Sequence, residues 1–162
     1  MMKKLSALVL VLFAVISCTN SGVYFEKSVP VEKHNWQRFH NIDFKVPVDR
    51  GDMLDFSLIF KYNDDFKDVW LPVNITFTTP GGEIRTMNYR FSLIDRKTQK
   101  KLGTHSEHTT TVVIPIRKEM PFIAHGNCVV SIEKRIPRMD TFGVESIGLK
   151  VMKSKPKPEK PE

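Results

Sequence analysis

Met53-Leu54-Asp55-Phe56-Ser57-Leu58-Ile59-Phe60-Lys61 decides the fold class. Leu54, Phe56, Leu58 and Phe60 fall on one side of an extended chain, and Asp55, Ser57 and Lys61 fall on the other. Alternation with a period of two marks a strand with one buried face, because successive side chains of a strand point to opposite sides. The same signature recurs along the chain. Val73, Ile75 and Phe77 alternate with Asn74, Thr76 and Thr78, and Tyr89, Phe91 and Leu93 with Arg90 and Ser92. Val112, Ile114 and Ile116 form another run, Val130 and Ile132 a further one, and Ile147, Leu149 and Val151 alternate with Gly148, Lys150 and Met152. Turn residues punctuate these runs at Arg50-Gly51-Asp52, Thr79-Pro80-Gly81-Gly82, Gly103 and Gly126-Asn127. No window carries a 3.6-residue apolar stripe between residues 23 and 152. The pattern predicts an all-β domain, an antiparallel β-sandwich of jelly-roll type with eight to nine strands.

The 162 residues have room for one domain, and 41% hydrophobic residues suffice for a packed core. Formal charge is +7. Setting aside Lys3 and Lys4, and the last ten residues with four lysines against Glu159 and Glu162, leaves 19 basic and 16 acidic side chains. So mild and mixed a balance argues against nucleic acid as a partner.

Residues 1–17 read as an export signal, with Lys3 and Lys4 before the apolar run from Leu5 to Ser17. That run is shorter than the roughly 20 residues a membrane span requires. Val15-Ile16-Ser17-Cys18 resembles the lipobox of bacterial lipoproteins, in which the chain is cut before an acylated cysteine. Cys18 is the expected lipid attachment residue, residues 18–22 the tether, 23–152 the sandwich and 153–162 a disordered Lys/Pro/Glu tail. Acyl chains contribute about 0.8 kcal/mol per buried methylene, so several of them hold a domain durably on a membrane. Asn20 follows Cys18 where an inner-membrane retention signal would place Asp, and Thr19-Asn20-Ser21-Gly22 has no acidic cluster. The expected location is therefore the outer membrane, on its periplasmic face. Acylation of Cys18 leaves Cys128 as the one thiol of the mature chain, at the head of the apolar run Cys128-Val129-Val130. A buried role follows.

Chemical motifs are sparse. His105-Ser106-Glu107-His108 has metal-ligand residue types, but within a strand the two imidazoles would face opposite sides, so a solvated loop is expected and no metal. His125 lies near Cys128 without an orienting Asn or Asp signature. Asn63-Asp64-Asp65-Phe66-Lys67-Asp68 lacks the ligand offsets and the glycine of a calcium loop. There is no glycine-rich phosphate loop and no nucleophile elbow. No catalytic residue and no cofactor are expected. Trp36, Tyr62 and Trp70 are the candidate contacts for a partner or ligand, either as an aromatic platform for a glycan or as anchors for a protein.

The chain also resembles, over residues 18–152, the gliding motility-associated lipoprotein GldH family of Bacteroidetes. The resemblance rests on Cys18 with Val23-Tyr24-Phe25-Glu26, on Trp36, on Asp43-Phe44-Lys45-Val46-Pro47-Val48, and on Asp68-Val69-Trp70-Leu71-Pro72-Val73-Asn74-Ile75 followed by Thr79-Pro80-Gly81-Gly82. It ends on Arg138-Met139-Asp140-Thr141-Phe142-Gly143-Val144-Glu145-Ser146-Ile147-Gly148-Leu149-Lys150-Val151. It implies a non-enzymatic outer-membrane lipoprotein acting with envelope proteins of the gliding apparatus, which is linked to type IX secretion. The alternative is a carbohydrate-binding β-sandwich lipoprotein.

Overall fold

A computed structural model describes residues 22–155. Cys18, the export signal and residues 156–162 of the tail lie outside the described residues. Among the described residues, nine strands form two antiparallel sheets that face each other as an open sandwich. The strands are β1 (Val23–Pro30), β2 (Ile42–Val48), β3 (Met53–Asn63), β4 (Trp70–Thr78) and β5 (Ile84–Ser92). They continue with β6 (Thr104–Ser106), β7 (Thr109–Pro121), β8 (Gly126–Lys134) and β9 (Val144–Lys153). One sheet has the order β1-β9-β3-β7-β6 and the other β2-β8-β4-β5.

The alternating residues supply the core from both sheets. Leu54, Phe56, Leu58 and Phe60 of β3 and Ile147, Leu149 and Val151 of β9 are buried against Val73, Ile75 and Phe77 of β4 and Cys128, Val130 and Ile132 of β8. Phe56 and Phe77 meet across the sandwich edge to face, with ring centroids 5.3 Å apart. Each such side chain contributes roughly 1.5–3 kcal/mol by leaving water, which is why the alternation forces the two sheets together. The opposite face of β9 is tight as well. A Cβ on Gly148 would collide with the Ser28 Oγ of β1 and lie 3.0 Å from the Ile59 Cβ of β3, so the glycine lets both neighbouring strands close in.

Cys128 is fully buried, and burial pushes its thiol up to about 11. β9 runs to Lys153, and the next residue is clipped down: the Ser154 N–H donates to Met53 O at 2.9 Å and its hydroxyl to Asp55 Oδ1 at 2.6 Å.

Candidate functional site

Strand direction gives the sandwich two distinct ends. Because Val23 pairs with Met152 and Leu54 with Lys153, β1 starts and β9 finishes at one end. The tight connections 49–52, 79–83 and 122–125 join strands at that same end. The opposite, distal end carries the longer connections 31–41, 64–69, 93–103 and 135–143.

Two distal loops are interlocked around a lysine. Lys134 is the last inward residue of β8, in phase with Cys128, Val130 and Ile132, and is 2% exposed. Its Nζ lies 2.7 Å from Trp36 O, 3.0 Å from Arg138 O, 3.2 Å from Met139 O and 2.8 Å from Thr141 Oγ1. Three N–H donors thus serve four acceptors, on two loops about a hundred residues apart in sequence. Burial, with the Arg138 charge adding to it, pushes the Lys134 ammonium below the ordinary lysine range. The backbone joins the same loops: Trp36 N–H donates to Thr141 O at 2.9 Å and Arg38 N–H to Met139 O at 2.7 Å. Asn35 bridges them too, donating to Asp140 Oδ1 at 2.8 Å and accepting from Thr141 N–H at 3.0 Å.

The interlock presents large apolar side chains to solvent. Phe39 is 71% exposed, Phe142 61%, and Met139 is exposed between them in the pairing of the loops. The Arg38 guanidinium lies 5.0 Å from the Phe39 ring centroid. Surface aromatics held on a rigid backbone lose little entropy on contact, which suits them to anchor a protein partner.

Beside the interlock, a groove of about 690 Å³ is lined by Trp70, Pro72, Arg90, Ile136, Pro137 and Arg138, among others. Trp70 is half-buried on the outward side of β4, with the Arg90 and Arg96 guanidiniums 4.7 Å and 5.4 Å from its ring centroid. Arg138 is paired with Asp68, which leaves Lys67, Arg90 and Arg96 as the uncompensated cations around the ring. The groove therefore favours apolar and anionic contacts.

The three aromatic candidates do not form a platform. Trp36 is 1% exposed, and its indole N–H is satisfied by His40 O at 2.9 Å, so the ring closes the distal end of the core. Tyr62 is 2% exposed and stacks on Phe60 at 5.2 Å. It lies in phase with Leu54, Phe56, Leu58 and Phe60, so the alternation already assigned it to the interior. Both are thereby withdrawn from any contact surface, and only Trp70 is available to one. Lys134 escaped the sequence reading because it is charged, although its parity along β8 is that of a core residue. Arg90 and Arg96 carried no signal at all, since only the fold brings the second of them to Trp70.

The remaining polar clusters are separate from one another. His105 Nδ1 is 3.1 Å from Thr110 Oγ1, His108 is 3.7 Å from Asp64, and His125 is 2.6 Å from Asp49 rather than beside Cys128. Among the described residues, no group of three or more His, Cys, Asp or Glu side chains is gathered to hold a metal ion.

The family model for the GldH lipoprotein matches residues 23–151, from the start of β1 to within two residues of the end of β9. The chain belongs to the GldH lipoprotein family. As a GldH-family protein it is a membrane-anchored, gliding-motility-associated lipoprotein. No curated protein matches its sequence. Among solved structures it is similar to the native structure of a family 35 carbohydrate binding module from Clostridium thermocellum. That similarity has 14% identity, covers 78% of this chain and 95% of the other, and has a TM-score of 0.35.

Proposed function

We propose that this GldH-family protein is a non-enzymatic interaction module of the outer membrane, tethered through acylated Cys18 and contacting an envelope protein of the gliding apparatus with its distal loops. The observation that carries this reading is the exposure of Phe39, Met139 and Phe142 on the two loops that Lys134 holds together. This is an exposed apolar surface whose backbone is already held in place, and surfaces of that kind mark sites of protein association. The tether supports the same orientation. Residue 18 is five residues before Val23, a reach of at most about 18 Å, and β1 starts at the end opposite these loops. The anchored end is thus held near the bilayer and the distal loops point away from it.

The test is purification of the acylated protein from its own envelope, with identification of what accompanies it. A Phe39→Ser/Phe142→Ser variant should keep its melting temperature and lose the accompanying protein. Co-purification that is unchanged in this variant would count against the distal loops. Intact-mass analysis should find the mature chain beginning at a lipidated Cys18.

A further inference from the structure

Among the described residues, four strands have one edge unpaired: β1, β2, β5 and β6. An open edge invites pairing with another chain, and natural sheets blunt such edges with bulges, prolines, charges or brevity. β1 shifts register between Val23 and Phe25, β2 carries Lys45 and Pro47, and β6 has three residues. β5 carries charges, Arg85 and Arg90, but none of the other devices. It has nine residues and no proline, and its register with β4 runs unbroken from Trp70↔Ser92 to Thr78↔Ile84.

Hydrogen-bond parity shows which of its groups are available. Thr79 N–H donates to Glu83 O and Leu93 N–H to Val69 O, at the two ends of the β4–β5 pair. In an antiparallel ladder, alternate residues turn both backbone groups to the same neighbour. The odd-numbered residues therefore serve β4, whereas Ile84, Thr86, Asn88, Arg90 and Ser92 turn N–H and C=O to the open side. Underneath, Met87, Tyr89 and Phe91 are half-buried, with Tyr89 and Phe91 stacked at 5.0 Å. A groove of about 150 Å³ separates Arg85 and Met87, near the start of β5, from Arg117, Met120 and Pro121 of β7, whereas farther along the Tyr89 hydroxyl donates to Ile116 O at 2.5 Å. Three guanidiniums (Arg85, Arg90 and Arg117) flank the edge, with Glu83 2.6 Å from Arg85 and Asp68, which pairs with Arg138, in the groove beside Arg90.

We propose that the β5 edge accepts an extended segment of a partner protein as an added antiparallel or parallel strand, in which acidic residues alternate with apolar ones. Main-chain hydrogen bonds to the five open residues supply affinity, and side-chain pockets supply choice. The segment's apolar side chains cover Met87, Tyr89 and Phe91, and its carboxylates meet Arg85 and Arg117 inside and Arg90 outside. A second copy of this chain fits less well. Antiparallel pairing of two β5 strands sets the anchored end of one copy beside the distal end of the other, and beyond an Asp68 paired with Arg138 it brings only Glu83 to answer three guanidiniums. The proposal rests on the reading of the chain as an anchored interaction module and adds a second contact to it, on the flank of the sandwich.

Hydrogen exchange of the acylated full chain tests the proposal, measured in its own envelope membranes and again after purification. The open amides of 84–92 should exchange at least tenfold more slowly in the membranes. Asn88→Pro removes an N–H that donates to nothing in this fold, so folding should survive while the protection disappears. Arg85→Glu/Arg117→Glu should weaken the protection by a similar factor without touching the ladder, and decides the question if the proline variant does not fold. Equal exchange in the two settings overturns the proposal, as does protection that survives these substitutions. Protection that rises with concentration in the purified protein alone assigns the edge to a second copy and overturns it too. Phe39→Ser/Phe142→Ser should leave the β5 protection intact, so failure of the distal contact and failure of the edge contact are read separately.

Discussion

The two ends of the sandwich are closed by different means. At the end where β1 starts the connections are short and satisfy much of their own backbone: Asp52 N–H donates to Asp49 O at 3.1 Å and Gly82 N–H to Thr79 O at 3.0 Å. Tyr24 adds one side-chain clip, its hydroxyl 2.9 Å from Asp52 Oδ2 and 3.1 Å from Pro47 O. At the distal end, the interlocked loops 31–41 and 135–143 turn the carbonyls of Trp36 and Arg138 to the buried Lys134 ammonium, which also shares Met139 O with the Arg38 N–H. A short turn thus distributes its stability over many local bonds, whereas a long-loop surface concentrates it in one non-local residue. Damage should be mild and local at the first end and severe at the second.

The largest expected effect is at Gly143, where the distal chain turns into β9 with φ of 83°. A Cβ there would run into the backbone of Asp65 and Phe66, so Gly143→Ala combines a left-handed conformation with a clash that no side chain can relieve. The loss should be about 3 kcal/mol or more in chemical denaturation. A loss near 1 kcal/mol would show that the distal end yields as easily as the opposite one.

Lys134→Met comes next. It keeps the aliphatic stem, takes the ammonium donor from the carbonyls of Trp36 and Arg138 and from Thr141 Oγ1, and leaves Met139 O with the Arg38 N–H alone, at a cost of about 2–4 kcal/mol. Hydrogen exchange should quicken in 35–41 and 137–141 while 49–52 stays protected. Uniform quickening would mean that the two ends unfold as one unit.

Between the ends, Cys128 adds a pH dependence. Its thiol has a higher pKa folded than unfolded, so the fold holds a proton that the unfolded chain loses first. The associated stability is complete below about pH 9 and is lost as the pH rises to about 11, on the order of 2–3 kcal/mol. Cys128→Ala should flatten this alkaline limb relative to the parent, and the native thiol should resist labelling reagents.

At the end where β1 starts, Tyr24→Phe removes the hydroxyl clip and should cost about 1 kcal/mol. The backbone N–H of Asp49 holds the Asp52 carboxyl below the usual carboxylate range, and the Tyr24 hydroxyl assists. Stability from Asp52 is therefore present above the ordinary carboxylate pKa and is lost on further acidification, and the loss should be smaller after Tyr24→Phe than in the parent. The smallest effect belongs to the tail: truncation after Lys155 keeps the Ser154 clip and should shift stability by less than about 0.5 kcal/mol.

Strands were legible in the sequence because alternation is local: the inward residues of β3, β4, β8 and β9 could be named before any partner strand was known. The same rule should have retired Tyr62, whose phase is that of Phe60, and should have raised Lys134, whose phase is that of Ile132. For both residues, position along the strand is a better guide to burial than residue type. Trp36 had no such signal, since it lies in a loop whose burial depends on Thr141 and Lys134 from the far end of the chain.

The amino-acid sequence by itself determined the class of fold, the inward faces of β3, β4, β8 and β9, the buried thiol and the family. These follow from the period of two and from motifs read within a few residues. Tertiary structure alone decided which loops share an end, that one lysine holds two of them, that two guanidiniums cover Trp70, and that β5 is left with an open edge. Each of these depends on which strands pair, and pairing joins residues tens to more than a hundred positions apart. Hydrogen bonds and burial at such separations are set by topology, which no local pattern along a single strand encodes.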